Sequence, residues 1–474
     1  MSTQTLKKVV IVGGGFAGLY AAKALANQPV EVTLVDRKNH HTFQPLLYQV
    51  ATAVLSPGEI ASPLRRILHR ARNTEVLLGE VVGFDTAARR VLLKDGAELA
   101  YDYLIVAAGA RHSYFGHEDW AADAPGLKTV EDALEIRRRV LLAFELAERE
   151  LAMVDDDAAR ERAKSLLTFV VIGGGPTGVE LAGALRELSL HVLSRDFRRI
   201  DPRSTRVLLL EAGDRVLASF PKDLSEKAAK QLRELGVEIR TGTRVTRIED
   251  DGRVAEDRAA GQAQHSDGRL VVSFGGESLV AGAVVWAAGV RPTRLNATLG
   301  VATDRHGRVI VERDASIPGH PEVFAIGDMA LMKDDDGNAL PGLSPVAMQE
   351  ARFVAKAIVR TLRGEPRGTF SYFDKGTMAT IGRSRAVAET GKLHLSGFIA
   401  WLAWLVVHLW YLVGFRNRLM VMIEWAWSYF TYQRGARLIS GRADRSLATH
   451  VVAAREHPVE VRAERVSAPA PPPS

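Results

Sequence analysis

Two glycine-rich turns have the residue types and spacing that hold a dinucleotide. Each follows a short apolar run rich in β-branched residues and precedes a helical pattern, as a dinucleotide-binding turn requires. The glycines are Gly13, Gly15 and Gly18 in the first turn, and Gly173, Gly175 and Gly178 in the second. The first glycine permits the turn, the second lets the backbone approach a pyrophosphate, and the third lets helix and strand pack closely. Phosphates bind the free N–H groups at the helix start. Two such turns predict a tightly bound flavin and an exchangeable nicotinamide.

An acidic residue follows each turn at a distance that suits a ribose. Asp36 lies 18 positions after Gly18, and Glu211 lies 33 positions after Gly178. A carboxylate at the end of the second strand binds both ribose hydroxyls of an adenosine. Glu211 would repel a 2′-phosphate, so the sequence favours NADH over NADPH, although Arg215 lies nearby. The alternative is that each acid merely ends a strand.

Glu180 lies in the first turns of the helix that follows Gly178. Acids are common there because they complement the helix dipole. A second interpretation places this carboxylate beside the contact between nicotinamide and flavin, where it orients the nicotinamide or relays a proton. The residue type fits both interpretations equally well.

Composition excludes several kinds of chemistry. The chain has 474 residues, 47% of them hydrophobic, which predicts two or three domains with large cores. It contains no cysteine, which excludes the thiol pair of a disulfide reductase and the sulfur chemistry of a sulfide oxidant. The net charge of +6 is spread along the chain without a long basic block. Nucleic acid is therefore not an expected partner, and attraction to anionic lipid is the functional alternative to an ordinary surface.

The elements that position these residues form a duplicated βαβ pattern. Long helices are predicted at 130–154 and 176–190, a surface loop at 191–206, a loop between hairpin strands at 250–268, and a disordered tail at 467–474. The predicted strands are 8–12, 30–35, 101–109, 166–172, 207–211, 283–289 and 323–328. The strand before Gly289 repeats the pattern of the strand before Gly109.

Two apolar stretches, 395–415 and 419–432, suggest contact with a membrane. Each interpretation has a distinct geometry: a transmembrane helix, a pair of helices lying in one leaflet, or a dimerisation face. Their aromatic and basic residues suit a membrane interface: Trp401, Trp404, Trp410, Trp425 and Trp427, with Arg416, Arg418, Arg434 and Arg437. Glu424 opposes full burial in lipid. The pair of helices in one leaflet is favoured over a span, and the dimer face comes third.

The segment 36–52 reads Asp-Arg-Lys-Asn-His-His-Thr-Phe-Gln-Pro-Leu-Leu-Tyr-Gln-Val-Ala-Thr. It is the most specific part of a resemblance to the type II NADH dehydrogenases that extends from about residue 7 to about residue 440. The resemblance implies an α/β fold with two Rossmann-like dinucleotide-binding domains, as in glutathione-reductase-like flavoproteins, and a C-terminal membrane-associating helical segment. The implied parts are an FAD-binding domain at 1–125 and 295–390, an NADH-binding domain at 126–294, membrane-anchoring helices at 391–440 and a tail at 441–474.

The resemblance also implies roles for individual residues. FAD would be bound by Gly13, Gly15, Gly18, Asp36, Gln44, Gly109 and Asp328, and NADH by Gly173, Gly175, Gly178, Glu180, Glu211 and Gly289. The quinone would meet Ala347, Gln349 and Lys375, and the catalytic set would be Glu180, Gln349 and Lys375. The family's quinone segment reads Ala-Gln-x-Ala-x-Gln. Here Ser344-Pro345 replaces the leading Ala-Gln, and Glu350 stands where a further Gln is often seen, which leaves the choice of quinone open. On sequence alone, a surface lysine is the favoured interpretation of Lys375.

The implied activity is that of a respiratory NADH:quinone oxidoreductase that does not pump protons. Hydride passes from NADH to non-covalent FAD, and two electrons then reach a membrane quinone, menaquinone or ubiquinone. No metal is expected. No signal sequence precedes the first strand, so the expected location is the cytoplasmic face of the cell inner membrane, as a peripheral, homodimeric protein. Two rivals remain: a soluble-type NADH:ferredoxin or rubredoxin reductase, which needs no apolar C-terminus, and an NADH-sensing flavoprotein with little turnover.

Overall fold

The computed structural model describes residues 6–154, 156–250, 269–431 and 436–440. Most of the predicted loop at 250–268, and the predicted tail, lie outside the described residues. The α-helices among them are α1 (Phe16–Leu25), α2 (Leu47–Ala51), α3 (Pro57–Ile60), α4 (Leu64–Leu68), α5 (Val130–Met153), α6 (Asp157–Leu166), α7 (Pro176–Glu187), α8 (Lys222–Leu235), α9 (Ser344–Leu362), α10 (Phe398–Tyr411) and α11 (Phe415–Thr431).

A six-stranded sheet joins the beginning of the chain to a segment near residue 320. Its order is Ser316–Ile317, His320–Ala325, Tyr103–Val106, Lys7–Val12, Val30–Asp36 and Thr74–Leu78. All neighbours are parallel except the first pair. Because parallel strands share one carboxyl edge, this edge collects the first glycine turn, Asp36 and the residues after Ala325.

A second, four-stranded sheet repeats the arrangement in the middle of the chain. Its parallel strands run in the order Val237–Arg240, Arg206–Leu210, Thr168–Ile172 and Ala283–Trp286. The strands Thr168–Ile172 and Ala283–Trp286 are buried at every position, as expected for a sheet covered by helices on both faces. The predicted α/β fold with two dinucleotide-binding units is confirmed.

Smaller sheets complete the molecule. The antiparallel strands Thr377–Gly382, Arg385–Thr390 and Leu393–Ser396 form one sheet, so the predicted boundary at 390/391 falls inside it. The remaining sheets are Val81–Asp85 with Arg90–Leu93 and Glu98–Ala100; Val245–Asp250 with Leu270–Phe274 and Glu277–Ala281; Ala110–His112 with Val290–Pro292; Val309–Ile310 with Ala330–Leu331; and His40–Thr42 with Ala61–Pro63.

Two sequence-based expectations need correction. The segment 191–206 is not a plain surface loop: it begins in the π-helical turn Leu188–Val192, and Leu193 and Ile200 are buried. The stretch 395–415 is not one helix, because its first residues end the strand Leu393–Ser396 and α10 has only 14 residues. Among the described residues, no helix is both long and apolar enough to cross a bilayer.

Candidate functional site

The first glycine turn is shaped by close backbone contacts on two sides and by open space on the third. Gly13 has a φ of +104°, and a Cβ placed there would lie 2.4 Å from the carbonyl oxygen of Ala107. A Cβ on Gly18 would lie 1.7 Å from the carbonyl oxygen of Gly13, whereas a Cβ on Gly15 would meet nothing within 4 Å. Glycine is therefore required at Gly13 and Gly18, where the backbone segments pack closely. The turn stays open at Gly15, where a pyrophosphate approaches.

Asp36 closes this turn through its carboxylate. Oδ2 accepts a hydrogen bond of 2.5 Å from the amide of Gly14, and Oδ1 accepts one of 2.7 Å from the amide of Lys38. Both oxygens are therefore held at the carboxyl edge of the sheet, beside the glycine turn. This placement fits an adenosine ribose next to the pyrophosphate site.

The second glycine turn reproduces the first. Gly173 has a φ of +109°, a Cβ on Gly178 would lie 1.8 Å from the carbonyl oxygen of Gly173, and a Cβ on Gly175 would meet nothing within 4 Å. Glu211 accepts hydrogen bonds from the amides of Gly174, at 2.5 Å, and Gly213, at 2.6 Å. The residues present at both turns therefore fit a dinucleotide, and the two acids occupy equivalent positions.

The remaining predicted flavin-site residues lie around the first sheet. Asp328 belongs to the 3₁₀ turn Gly327–Met329 directly after the strand His320–Ala325, and its Oδ2 lies 3.4 Å from Lys128 Nζ. Gly109 follows the neighbouring strand Tyr103–Val106 with a φ of +67°. Gln44 is exposed and begins a short 3₁₀ turn. The structure therefore brings Asp328 and Gly109 to the shared carboxyl edge.

Glu180 joins the second glycine turn to the C-terminal three-stranded sheet. Its Oε1 accepts a long hydrogen bond, 3.4 Å, from the amide of Thr380. Close packing makes this contact possible, because a Cβ on Gly183 would lie only 1.7 Å from the carbonyl oxygen of Ile381. Burial raises the pKa of Glu180 to about 8. A carboxyl group that gains and loses a proton near neutral pH is suited to proton transfer.

Gly289 lies at the other side of the second unit. It follows the strand Ala283–Trp286, and a Cβ on it would come within 2.9 Å of the Phe115 ring. The Phe115 side chain is exposed, with a ring centroid 6.3 Å from that of Trp286. An aromatic ring therefore stands beside the carboxyl end of this strand, where the second dinucleotide is expected.

The three predicted quinone residues are divided between two places. Ala347 is buried in α9, and its Cβ would lie 3.6 Å from a Cβ on Gly327. It lines a cavity of about 260 Å³ that also includes Asp328. Gln349 is two residues further along α9, about 200° around the helix. Its side-chain amide exchanges two hydrogen bonds, of 3.0 and 3.1 Å, with the backbone of Phe373.

Lys375 lies close in sequence to this Gln349 contact. Its Nζ donates a 2.8 Å hydrogen bond to the hydroxyl of Tyr411, at the end of α10. The structure thus brings Gln349 and Lys375 together near the exposed Phe373 ring, and it places Ala347 on the opposite side of α9, toward Asp328.

Glu350 was not among the site residues predicted from the sequence. It is buried, lines the same cavity as Ala347 and Asp328, and accepts a 2.6 Å hydrogen bond from the amide of Gly327. Burial and the nearby Asp328 raise its pKa to about 7. The signal was its spacing of three residues from Ala347, which places both on one face of a helix.

The apolar helices α10 and α11 do not expose all their tryptophans. Trp404 is buried, and Trp425 donates a 2.7 Å hydrogen bond to Gln49 Oε1. The prediction that Trp404 lies at a membrane interface is therefore wrong, whereas Trp425 is half-buried and Trp410 and Trp427 are exposed. Arg416 is exposed and Arg437 pairs with Asp196, and Arg434 lies outside the described residues.

Comparison with known families covers nearly the whole described chain. The family described as pyridine nucleotide-disulphide oxidoreductase matches residues 7–351, and the NDH2 C-terminal domain matches residues 375–432. The disulphide in the first description has no counterpart here, because the chain contains no cysteine.

Individual relatives match over similar lengths. The type II NADH:quinone oxidoreductase Ndh of Mycobacterium tuberculosis is 45% identical over 91% of this chain and 90% of its own length. The NdhA protein of the same organism is 43% identical over 92% and 90%. The solved structure of NDH2 from Plasmodium falciparum in complex with NADH superposes with a TM-score of 0.77 at 19% identity, over 92% of this chain and 100% of that chain.

Proposed function

Because the chain belongs to the type II NADH:quinone oxidoreductases, we propose that it oxidises NADH at the second glycine turn and reduces a membrane quinone through FAD held at the first. One observation carries the assignment of sites. Each glycine turn is open at its middle glycine and is closed by a carboxylate, Asp36 or Glu211, that binds the neighbouring amide. A protein with two such turns is built to hold two dinucleotides.

The FAD site consists of the first turn and the residues that share its sheet edge. Gly13, Gly15 and Gly18 leave room for the pyrophosphate, Asp36 receives the ribose, and Asp328 and Gly109 lie beside the next strands, with Gln44 at the surface. FAD bound at this site would supply the two-electron chemistry that links NADH oxidation to quinone reduction. Buried Glu350 holds the Gly327–Met329 turn in place through the amide of Gly327.

The NADH site consists of Gly173, Gly175, Gly178, Glu211 and Gly289. Glu211 selects NADH, because a 2′-phosphate would meet a carboxylate already held by the amides of Gly174 and Gly213. Glu180 is the proposed catalytic acid of this site. Its raised pKa keeps it protonated near neutral pH. It can therefore supply a proton for quinone reduction, either directly or through neighbouring groups.

Gln349 and Lys375 mark the mouth through which the quinone arrives. Their contacts with the Phe373 backbone and with Tyr411 place them between α9 and the end of α10. Ala347, on the inner side of α9, leaves space next to Asp328. A quinone that enters near α10 can therefore approach along α9 toward the flavin-binding edge.

The helices α10 and α11 attach the enzyme to one leaflet of the membrane, on the cytoplasmic face. Supporting this, large apolar side chains on both helices are exposed: Phe398, Ile399, Leu402, Val406, Val407, Trp410, Phe415, Leu419, Met422, Ile423, Trp427 and Phe430. An apolar face of this size marks a membrane or protein contact.

The proposed domains follow from these elements. The membrane-attached C-terminal unit includes the sheet Thr377–Ser396 as well as α10 and α11. The FAD domain comprises 1–125 and the segment from 295 up to that sheet, and the NADH domain comprises 126–294. A homodimer is the proposed assembly, to be tested by mass measurement in detergent.

Steady-state NADH oxidation by the FAD-loaded protein in detergent tests the function. The rate is measured with and without a short-chain quinone, and with NADPH in place of NADH. Turnover that depends on quinone and prefers NADH is expected. Normal flavin reduction by NADH that no quinone accelerates would contradict the proposal and would favour an NADH-sensing protein.

A further inference from the structure

A group of cations surrounds a tyrosine between α1, α9 and α11. Lys23 Nζ lies 5.2 Å and Arg352 Cζ 4.9 Å from the centre of the Tyr20 ring. Arg418 is the third cation near this ring: burial raises the pKa of Tyr20, and the charges of Arg352 and Arg418 oppose that rise. We call Lys23, Arg352 and Arg418 the basic cluster. Three separate elements supply it, so the fold, rather than a local run of charge, brings these cations together.

The basic cluster lacks an acidic partner in the part of the chain that the structure describes. Among the described residues, neither Lys23 nor Arg352 nor Arg418 forms an ion pair with a carboxylate, although many other lysines and arginines do. Lys23 and Arg352 are exposed, but partial desolvation, and then the repulsion from Arg418 and Arg352, still lower the pKa of Lys23. Like charges gathered without a counter-charge cost free energy, and an anion placed among them would offset that cost.

The cluster adjoins the membrane-facing helices. Arg418 Nε donates a 2.7 Å hydrogen bond to the carbonyl oxygen of Leu412, in the turn between α10 and α11. The same turn is flanked by Trp410 and Phe415, whose side chains are 72% and 82% exposed. A phosphate at this level would lie beside apolar side chains that enter the acyl region, as a phospholipid headgroup does.

We propose that the basic cluster of Lys23, Arg352 and Arg418 binds the phosphate of an anionic phospholipid whose chains lie against Trp410 and Phe415. Arginine offers a planar set of donors that matches phosphate oxygens, and lysine adds a mobile charge. Tyr20 holds the cations in place through its ring. The inference rests on the proposed membrane attachment and makes it selective, because the apolar helices alone would not distinguish anionic from zwitterionic lipid.

Vesicle binding by the full FAD-loaded chain tests this site. Co-sedimentation is measured with vesicles of phosphatidylcholine alone and of phosphatidylcholine mixed with phosphatidylglycerol. The test variant is Lys23→Gln with Arg352→Gln. The matched control is Lys230→Gln with Arg233→Gln, which removes two exposed cations from α8.

The wild-type chain is expected to prefer the anionic vesicles, and the test variant to lose about thirty-fold of its affinity for them, the effect of two cations at an anionic surface. The control should keep the preference. Equal losses in both variants, or an unchanged test variant, would overturn the site. Binding of inorganic phosphate by the chain, together with no preference for phosphatidylglycerol over phosphatidylcholine vesicles, would also overturn it, in favour of a free anion.

The outcome is separable from the proposed function. Turnover with NADH and a short-chain quinone in detergent reports the reaction alone, and the test variant should retain it. Binding to phosphatidylcholine vesicles reports attachment by the apolar helices alone. A wild-type protein that binds those vesicles without gaining from phosphatidylglycerol would contradict the phosphate site and leave the membrane attachment standing.

Discussion

At the scale of single residues, the two dinucleotide turns share one device. Asp36 and Glu211 each accept the amide of the residue after the first glycine, at 2.5 Å in both cases. A carboxylate held in this way is fixed in position before a nucleotide arrives, so its charge acts directly on the ribose substituents. The choice between NADH and NADPH should therefore depend on the charge of Glu211 more than on its shape.

Glu211→Gln tests this. The amide side chain can still accept from Gly174, but it no longer repels a 2′-phosphate. We expect kcat/KM for NADPH relative to NADH to rise about tenfold or more, the effect of one removed charge repulsion of roughly 1.4 kcal/mol. Steady-state kinetics with both nucleotides measure the ratio. An unchanged ratio would show that Arg215 or another group sets the preference.

The raised pKa of the Glu180 carboxyl group leads to a second prediction at the scale of single residues. Its pKa is about 8 in the folded chain and near 4.5 in the unfolded chain. Between these values the folded chain keeps a proton that the unfolded chain releases, so stability falls as pH rises through this window. Glu180→Gln, which resembles the protonated acid, should flatten this fall.

Urea unfolding at several pH values within the window measures both proteins. The stability of Glu180→Gln relative to the wild type should grow as pH rises. Glu350, whose pKa is about 7, titrates in the same direction and is present in both proteins, so some dependence on pH will remain. Parallel curves would mean that Glu180 is ionised in the folded chain.

At the scale of elements, α7 and the strand Thr377–Gly382 must touch for Glu180 to meet Thr380. Gly183 allows the contact, and any Cβ there would strike the carbonyl oxygen of Ile381. Gly183→Ala should push the strand away, lower the free energy of unfolding by about 1–3 kcal/mol, and weaken the effect of Glu180 on turnover. Chemical unfolding and NADH:quinone kinetics check the two effects.

Gly58→Ala is the matched control for that substitution. Gly58 also lies in a helix, α3, but a Cβ there meets nothing within 4 Å. Its replacement should leave stability and turnover almost unchanged. If both substitutions were equally mild, the close approach of α7 to the strand would not be needed for the site.

The sequence predicted the structural features that depend on residues close together in the chain. It did not predict side-chain positions that depend on packing between residues far apart in the chain. The glycine turns follow from their own spacing, so strands, turns and the acids that end the strands were found. The division of the quinone set was missed, because helical spacing separates Ala347 from Gln349 but only packing against α1 decides which side faces Asp328. Trp404 was misplaced because Tyr48, whose ring packs against it, lies far away in the sequence.

At the scale of the whole molecule, the apolar side chains of α10 and α11 form the face that should bring the flavin site to its lipid-dissolved substrate. Ile399 and Phe430 are 66% and 80% exposed on these helices. Replacing both with serine removes apolar area that would enter the bilayer, about 1.5–3 kcal/mol for each side chain. Binding to vesicles should weaken, and turnover with a long-chain quinone in liposomes should fall with it.

The same double variant should keep its turnover with a short-chain quinone in detergent, because both residues lie on α10 and α11, outside the glycine turns, α7 and α9. Leu78→Ser with Met153→Ser is the control, since these side chains are 67% and 71% exposed and belong to the strand Thr74–Leu78 and to α5 rather than to α10 or α11. It should bind vesicles as the wild type does. If it lost binding equally, attachment would depend on general surface hydrophobicity. If the α10–α11 variant lost turnover in detergent as well, these helices would shape the quinone site itself. The same side chains would then be needed for both membrane attachment and catalysis.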